Sequence, residues 1–267
     1  MPTEPHLRIS VVIPVRNDAP MLAHCLQALK EQHRAPDEVV VVDNDSEDHS
    51  ADVAARFGAR VVMQPRIGIP CASATGYDAS TGDIIARLDA DSRPHPTWLQ
   101  QVERQFLEHP ETDFVTGSAR FYGSTPLVHW VARNLYIGGM YAALWPALGH
   151  PPLFGSNMAM RAAAWAAVRE RVNRHERGIH DDLDLTLHVP PHLNVAYNRS
   201  LEVRVSARPF ESWSALKRRL SWVLPTIRLY RQHETLRARR LKRRQAARHC
   251  APTPRRTARF RTRSGSD

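Results

Sequence analysis

With 267 residues and 42% hydrophobic content, the chain can enclose a full core as one large domain or two small ones, which excludes a peptide or a pure linker. Its net charge of +10 is lopsided: from Arg204 onward 19 Lys and Arg face 3 acids, whereas residues 1–203 carry 18 against 24. An acidic body that can hold metal and sugar is thus joined to a basic tail suited to lipid headgroups or nucleic acid.

Cys25, Cys71 and Cys250 are odd in number, widely spaced and lack a Cys-x-x-Cys pair, which argues against a disulfide framework or a zinc site. Residues 1–8 hold no apolar core of signal-peptide length, so a cytoplasmic location is the expectation. The longest apolar stretch, Leu127 to Leu148, is interrupted by His129, Arg133, Asn134 and Pro146. It falls short of the run of about 20 apolar residues that spans a bilayer.

In chain order, Ile9 to Val15 is a β-branched run that predicts a strand, followed by Met21, Leu22, Cys25, Leu26 and Leu29 at helical spacing with Pro20 in the first turn. Glu38 to Asp43 is continuously apolar between its acids, as in a parallel strand covered on both faces. Asp48 is placed to cap a helix running to about Phe57. Arg60 to Met63 predicts a third strand, Gly68 to Ser80 a helix, and Asp83 to Leu88 a fourth strand. Strands alternating with helices of about ten residues predict a doubly wound, mostly parallel sheet.

Leu88-Asp89-Ala90-Asp91 follows the fourth strand directly. A strand delivers such acids to the carboxyl edge of an open α/β sheet, where ligands bind. Mg²⁺ suits that place, because it takes one or two carboxylates together with substrate phosphate oxygens. Taken alone, an Asp-x-Asp pair is weak evidence and reads more readily as a solvated turn.

Beyond it, Pro96 opens a helix with Trp98, Leu99, Val102 and Phe106 on one side, and Asp113 to Thr116 reads as a strand. Phe121 to Pro152 is an aromatic, Gly- and Pro-punctuated inserted element. Leu153 to Met160 predicts a strand feeding a helix over Ala162 to Val168. Asp181, Asp182 and Asp184 suit a helix that starts with negative charge. After a strand within Asn194 to Val205, Trp213, Leu216, Leu220, Val223 and Ile227 form an apolar stripe flanked by Lys217, Arg218, Arg219 and Arg228. That is a basic amphipathic helix, interrupted or kinked at Pro225. The tail beyond Gln232 is Arg-rich, and 253–267 has a disordered composition.

Four segments in this order resemble family 2 glycosyltransferases of the GT-A fold: Val11 to Asn17, Val42 to Asp48, Leu88 to Asp91 with Pro94 and Trp98 beyond, and Asp181 to Leu185. The resemblance covers roughly 9–205. It implies an α/β GT-A domain over 1–210, with a nucleotide-binding half to about 110 and an acceptor half from there. A basic amphipathic extension over 211–250 and a disordered end over 251–267 complete the expected organisation.

The resemblance also implies an inverting transferase that uses a UDP- or GDP-sugar, a divalent cation (Mg²⁺ or Mn²⁺) and an acceptor hydroxyl, in cell-envelope or lipid-linked glycan synthesis. Pro14, Val15 and Asn17 would line the base pocket, with Asp43 on the nucleoside, Asp45 beside it and Arg66 facing the diphosphate. Asp91 would be the leading metal ligand of the DXD motif, and Asp89 would touch ribose or metal. Asp182 would be the general base, with Asp181 as its partner where the family more often has Glu. Gly155-Ser156-Asn157 matches a segment near donor sugar and acceptor.

Structural readings compete for several of these: a turn cap for Asp45 and Asp89, a helix N-terminus for the late acids, an exposed cation for Arg66. Asp48 reads as a cap, and His180 as a structural neighbour of the acids rather than a zinc ligand. Two other functions stay open: a sugar-phosphate nucleotidyltransferase, and a nucleic-acid binder acting through Arg237 to Arg244. The second has few aromatic residues for base stacking, so no specific nucleic-acid partner is expected. The amphipathic stripe and Leu127 to Leu148 would rest peripherally on the anionic inner face of a membrane.

Overall fold

The computed structural model describes residues 6–210, 212–231, 238, 240–243 and 245. The expected disordered end, 251–267, lies outside the described residues, as do Arg237, Arg239 and Arg244 of the basic segment. The first half runs β1 (Ile9–Val15), α1 (Ala19–Lys30), β2 (Glu38–Asp43), α2 (Ser50–Arg56), β3 (Arg60–Met63), α3 (Ile69–Ala79) and β4 (Ile84–Arg87). The second runs β5 (Ser92–Pro94), α4 (Trp98–Glu108), β6 (Phe114–Tyr122), α5 (Pro126–Val131), α6 (Gly138–Leu148), β7 (Met158–Arg161), α7 (Ala162–Val168), α8 (Asp181–His188), β8 (Val195–Ser206) and α9 (Trp213–Arg231).

One eight-stranded sheet in the order β3-β2-β1-β4-β7-β6-β8-β5 carries all of them. It is parallel at β3-β2, β2-β1, β1-β4 and β6-β8. β7 and β5 enter antiparallel. The expected mostly parallel sheet flanked by helices is borne out. Because the chain leaves β1 toward β2 and later returns to its other side as β4, strand order reverses at β1, and a crevice opens at the carboxyl ends.

The continuous apolar runs have the reason expected of them. Val11 and Ile13 face a core with Leu22, Leu26, Trp98, Leu99 and Phe106, whereas Val12 faces the opposite core with Val40, Val42, Tyr77, Met158 and Trp165. Each such buried side chain contributes roughly 1.5–3 kcal/mol. α3 lies against β1 and β2 through Gly76, where a Cβ would stand 2.3 Å from Val12 Cγ1.

Three local expectations are corrected. Leu153–Asn157 is not strand, and β7 begins only at Met158. Its backbone donors go elsewhere: Leu153 N–H to Thr186 Oγ1, Phe154 N–H to Thr116 Oγ1, and Gly155 N–H to Asp182. The helix expected from Pro96 starts at Trp98, and most of the Phe121–Pro152 insert is helical, α5 and α6 being joined by a π-helical stretch over Ala132–Ile137. α9 runs through Pro225 without interruption. Val223, Ile227 and Tyr230 hold it against Leu148, Leu183 and Leu187, while Trp213 and Leu220 of the expected stripe stay exposed. Among the described residues no helix is long and apolar enough to cross a membrane.

At the amino edge of the sheet Glu38 ties four segments together. Its carboxylate accepts from Ser10 Oγ at 2.5 Å, Thr81 N–H at 3.0 Å and Arg60 Nη2 at 2.6 Å. Burial pushes its pKa up, but these hydrogen bonds outweigh burial and hold it below the ordinary value. A lowered folded pKa contributes stability that is full above the unfolded value near 4.3 and is lost as pH falls through the folded one. E38Q is therefore expected to lower the urea midpoint at pH 7, with the gap to the unmodified protein closing as pH falls below about 4.

Candidate active site

The loops after β1 and β2 lock onto each other. Asn17 and Asp45 both hold positive φ, 52° and 58°, a conformation uncommon for residues with a Cβ. Asn17 Oδ1 accepts Glu47 N–H at 2.7 Å, and Asn17 N–H donates to Ser46 Oγ at 3.1 Å. Asp43, buried at the end of β2, accepts Ser46 N–H at 3.1 Å. Asp48 accepts from both Ala19 N–H (2.9 Å) and Ser50 N–H (3.0 Å), so one carboxylate serves the N-termini of α1 and α2. Burial alone would raise its pKa; these hydrogen bonds leave it lowered. Pro14 and Val15 lie beneath this paired loop, and Asp45 is exposed.

Buried Asn44 fixes the next loop by donating to the carbonyls of Gln64 and Arg66 and accepting Gly68 N–H. The guanidinium of Arg66 does not stand free over the crevice; it donates to the His175 carbonyl at 2.9 Å. Asp43, Asp45, Asn17, Pro14 and Val15 thus form one cluster. Asp89, Asp181 and Asp182 form another.

The second cluster is organised by Arg87, the last residue of β4, only 2% exposed. Its Nη1 donates to Asp181 Oδ2 at 2.6 Å and its Nη2 to Asp89 Oδ1 at 2.9 Å. Ser73 Oγ donates to the same Asp181 oxygen at 2.8 Å, and Ser156 Oγ to Asp89 Oδ2 at 2.5 Å. Gly155 N–H reaches Asp182 Oδ2 at 3.0 Å, and Leu183 N–H reaches Oδ1 at 2.8 Å. Burial raises the pKa of Asp181, with Arg87 pulling it down and Asp182 and Asp89 pushing it up. Asn157 is structural, donating to the Ser118 and Leu201 carbonyls and accepting Trp98 Nε1–H.

Asp91 stands apart from the Arg87 network. Its carbonyl accepts the Tyr122 hydroxyl at 2.7 Å, and its carboxylate lies 3.8 Å from Arg208, whose guanidinium is itself held by Asp18 at 2.6 Å. Burial and then the Asp89 charge push the Asp91 carboxyl up to about 6, against Arg208 and Arg219. Among the described residues no hydrogen bond reaches its carboxylate, and a mostly buried acid with a raised pKa is short of positive charge there.

The sequence model described as Glycosyl transferase family 2 matches residues 10–169. The chain belongs to glycosyltransferase family 2. Glycosyltransferase AglE of Haloferax volcanii is 36% identical over 121 residues, 42% of this chain and 40% of that protein. An uncharacterized glycosyltransferase of Mycobacterium tuberculosis is 37% identical over 127 residues, 47% of this chain and 54% of that one. The chain therefore spans about half the length, or less, of these curated relatives.

Among solved structures, mannosyltransferase PcManGT from Pyrobaculum calidifontis, in complex with GDP-Man and Mn²⁺, superposes with a TM-score of 0.69 at 20% identity, over 93% of this chain and 71% of that one. Glucosyl-3-phosphoglycerate synthase from Mycobacterium tuberculosis, with Mg²⁺ and UDP, gives 0.55 at 21%, over 75% and 70%. These likenesses show the GT-A fold of this family 2 enzyme.

Sequence reasoning passed over Arg87, Ser73 and Arg208. The available signal was a lone Arg inside an otherwise apolar strand ending in two acids. Around it the packing is tight: a Cβ on Gly155 would stand 2.6 Å from Arg87 Nη1. G155A is expected to destabilise the protein by about 1–3 kcal/mol through overpacking, read as a fall in the urea midpoint, whereas G123A, in open space, tests only the change at a left-handed turn.

Proposed function

We propose that this enzyme transfers a sugar, with inversion, from a nucleoside-diphosphate sugar to an acceptor hydroxyl. The reading rests chiefly on the cluster that unites the DXD carboxylate Asp89 with Asp181 and Asp182 across Arg87. Family membership favours sugar transfer over nucleotidyl transfer, and the nucleic-acid reading has few aromatic residues near Arg237 to Arg244 for base stacking.

Asp182 is the general base. Its two oxygens are aimed by Gly155 N–H and Leu183 N–H, and it stands at the first turn of α8, where backbone N–H groups favour negative charge. It takes the proton of the acceptor hydroxyl while that oxygen bonds to the anomeric carbon and the bond to the diphosphate breaks on the opposite face. Asp43, Asn17, Pro14, Val15 and Asp45 hold the nucleoside, and Arg66 borders the diphosphate.

The donor set fits a divalent cation completed by substrate. Asp91 offers a carboxylate whose one ion pair among the described residues is the 3.8 Å approach of Arg208, while both oxygens of Asp89 already accept hydrogen bonds. Among the described residues no group of three or more His, Cys, Asp or Glu is arranged to hold an ion alone. One or two carboxylates plus phosphate oxygens is the set that Mg²⁺ or Mn²⁺ takes. A cation held there by Asp91 would supply the positive charge that a departing diphosphate needs.

A screen of UDP- and GDP-sugars for hydrolysis, with Mn²⁺ or with EDTA, tests this reading. Turnover is expected with one nucleotide class and Mn²⁺ only. D182N should lower kcat about 10²–10⁴-fold while nucleoside diphosphate and Mn²⁺ still bind. Release of pyrophosphate from a nucleoside triphosphate and sugar phosphate, with no turnover of nucleotide sugars, would refute it.

The acceptor is lipid-linked and presented at the anionic cytoplasmic face of a membrane. Trp213, Leu220 and Leu224 of α9 and Leu127, Trp130 and Leu135 of the insert are exposed, and α9 carries Lys217, Arg218, Arg219 and Arg228. Exposed aromatic and aliphatic residues beside a basic face match an anionic lipid surface. Co-sedimentation with phosphatidylglycerol vesicles, weakened by salt and by W213A/L224A and absent from neutral vesicles, is expected; equal recovery from both vesicle types contradicts it.

A further inference from the structure

We propose that Arg87 is the positioning residue that couples the donor side of the site to the base side, so that Asp89 and Asp182 keep their working geometry only together. This rests on the assignment of Asp182 and Asp91 above. Arg87 is almost fully buried at the end of β4, and its two Nη atoms are divided between Asp89, two residues on, and Asp181, 94 residues on.

Each partner is pinned from its far side as well. Ser156 Oγ holds Asp89 Oδ2, Ser73 Oγ holds Asp181, and Gly155, the neighbour of Ser156, holds Asp182 by its N–H. A displacement of Asp89 is therefore passed through Ser156 and Gly155 to one oxygen of Asp182, and through Arg87 to the residue before it. Arg87 closes this loop: its rigid planar fork presents a separate nitrogen to each carboxylate, whereas an ammonium offers all its donors from one nitrogen without that preset geometry.

Stability alone does not account for the arrangement. A buried ion cluster is commonly no more stable than apolar residues of the same volume. Here, among the described residues, Arg87 Nε is buried with no hydrogen-bond partner, and the chain must keep Gly155 free of a Cβ to admit the guanidinium. The fold accepts an orphaned N–H and a restricted neighbour to keep this side chain between these two acids.

The test uses the full chain, Mn²⁺ and the nucleotide sugar that the hydrolysis screen finds turned over, with water as acceptor. R87K is expected to lower kcat about 10–100-fold, the usual loss when a group that orients site ligands is removed. Donor KM and the binding of nucleoside diphosphate with Mn²⁺ should stay within about threefold, which shows the fold intact. Because Arg87 acts through Asp181, R87K/D181N should be no slower than the slower single variant. If R87K does not fold, R87M/D181N, which removes both charges, takes its place and is expected to show the same kcat loss with binding retained.

R87K turnover within about twofold of the unmodified enzyme, a loss confined to KM, or losses in R87K and D181N that multiply would each overturn the coupling. D182N with unchanged turnover would instead remove the underlying site assignment. D182N inactive and R87K fully active removes this proposal alone.

Discussion

The site depends on one buried cation. Arg87 sits where β4 ends, and without it the mostly buried Asp181 and the partly exposed Asp89 would be like charges with no cation between them. Removing one partner of such a cluster leaves an uncompensated buried charge, which costs about 3–5 kcal/mol. The guanidinium turns a repulsive pair into a bridge between two distant parts of the chain.

The sheet makes that bridge possible. β1 to β4 are the parallel half, and their carboxyl ends would exist without anything from the later chain. What brings Asp181 and Asp182 to the same crevice is β7, inserted antiparallel beside β4 in the register Ala86 to Ala159 and Arg87 to Met158. The segment just before β7 then passes directly over Arg87, which explains why Leu153–Asn157 gives its backbone donors to Thr186, Thr116 and Asp182 rather than to another strand. A regular strand there would have occupied those donors and left Asp182 unaimed.

Much of this was legible in the sequence, for a physical reason. Strands buried on both faces must be continuously apolar, so Ile9–Val15 and Glu38–Asp43 announce themselves, and acids placed directly after such runs fall at the carboxyl edge. Asp48 as a cap was readable too, although not that it serves two helices. The three-residue β5 was beyond reach, because Ser92-Arg93-Pro94 has no apolar period and pairs only through β8. The stripe of α9 was half legible: a helical wheel shows which residues share a face but not which part of that face meets α6 and α8. Arg87 was hidden because in sequence a charge within an apolar run reads as a strand end reaching solvent, and its burial follows only from partners 2 and 94 residues away.

The positive groups around Asp91 complete the electrostatic logic. Arg208 belongs to the turn after β8 and is shared between Asp18, at the start of α1, and Asp91. Arg219 projects its charge onto Asp91 from α9, a helix whose amphipathic sequence reads as an appendage. Its His180 contact, from the ring Nε2 to the Arg219 carbonyl at 2.7 Å, joins the helix to the residue just before Asp181. α9 is thus bound to the acidic centre by geometry as well as by charge. In the proposed reaction the acidic crevice receives a diphosphate and needs positive charge at its rim, and a helix fixed beside Asp182 and carrying Arg219 provides it where a free tail would be screened within a Debye length of about 8–10 Å.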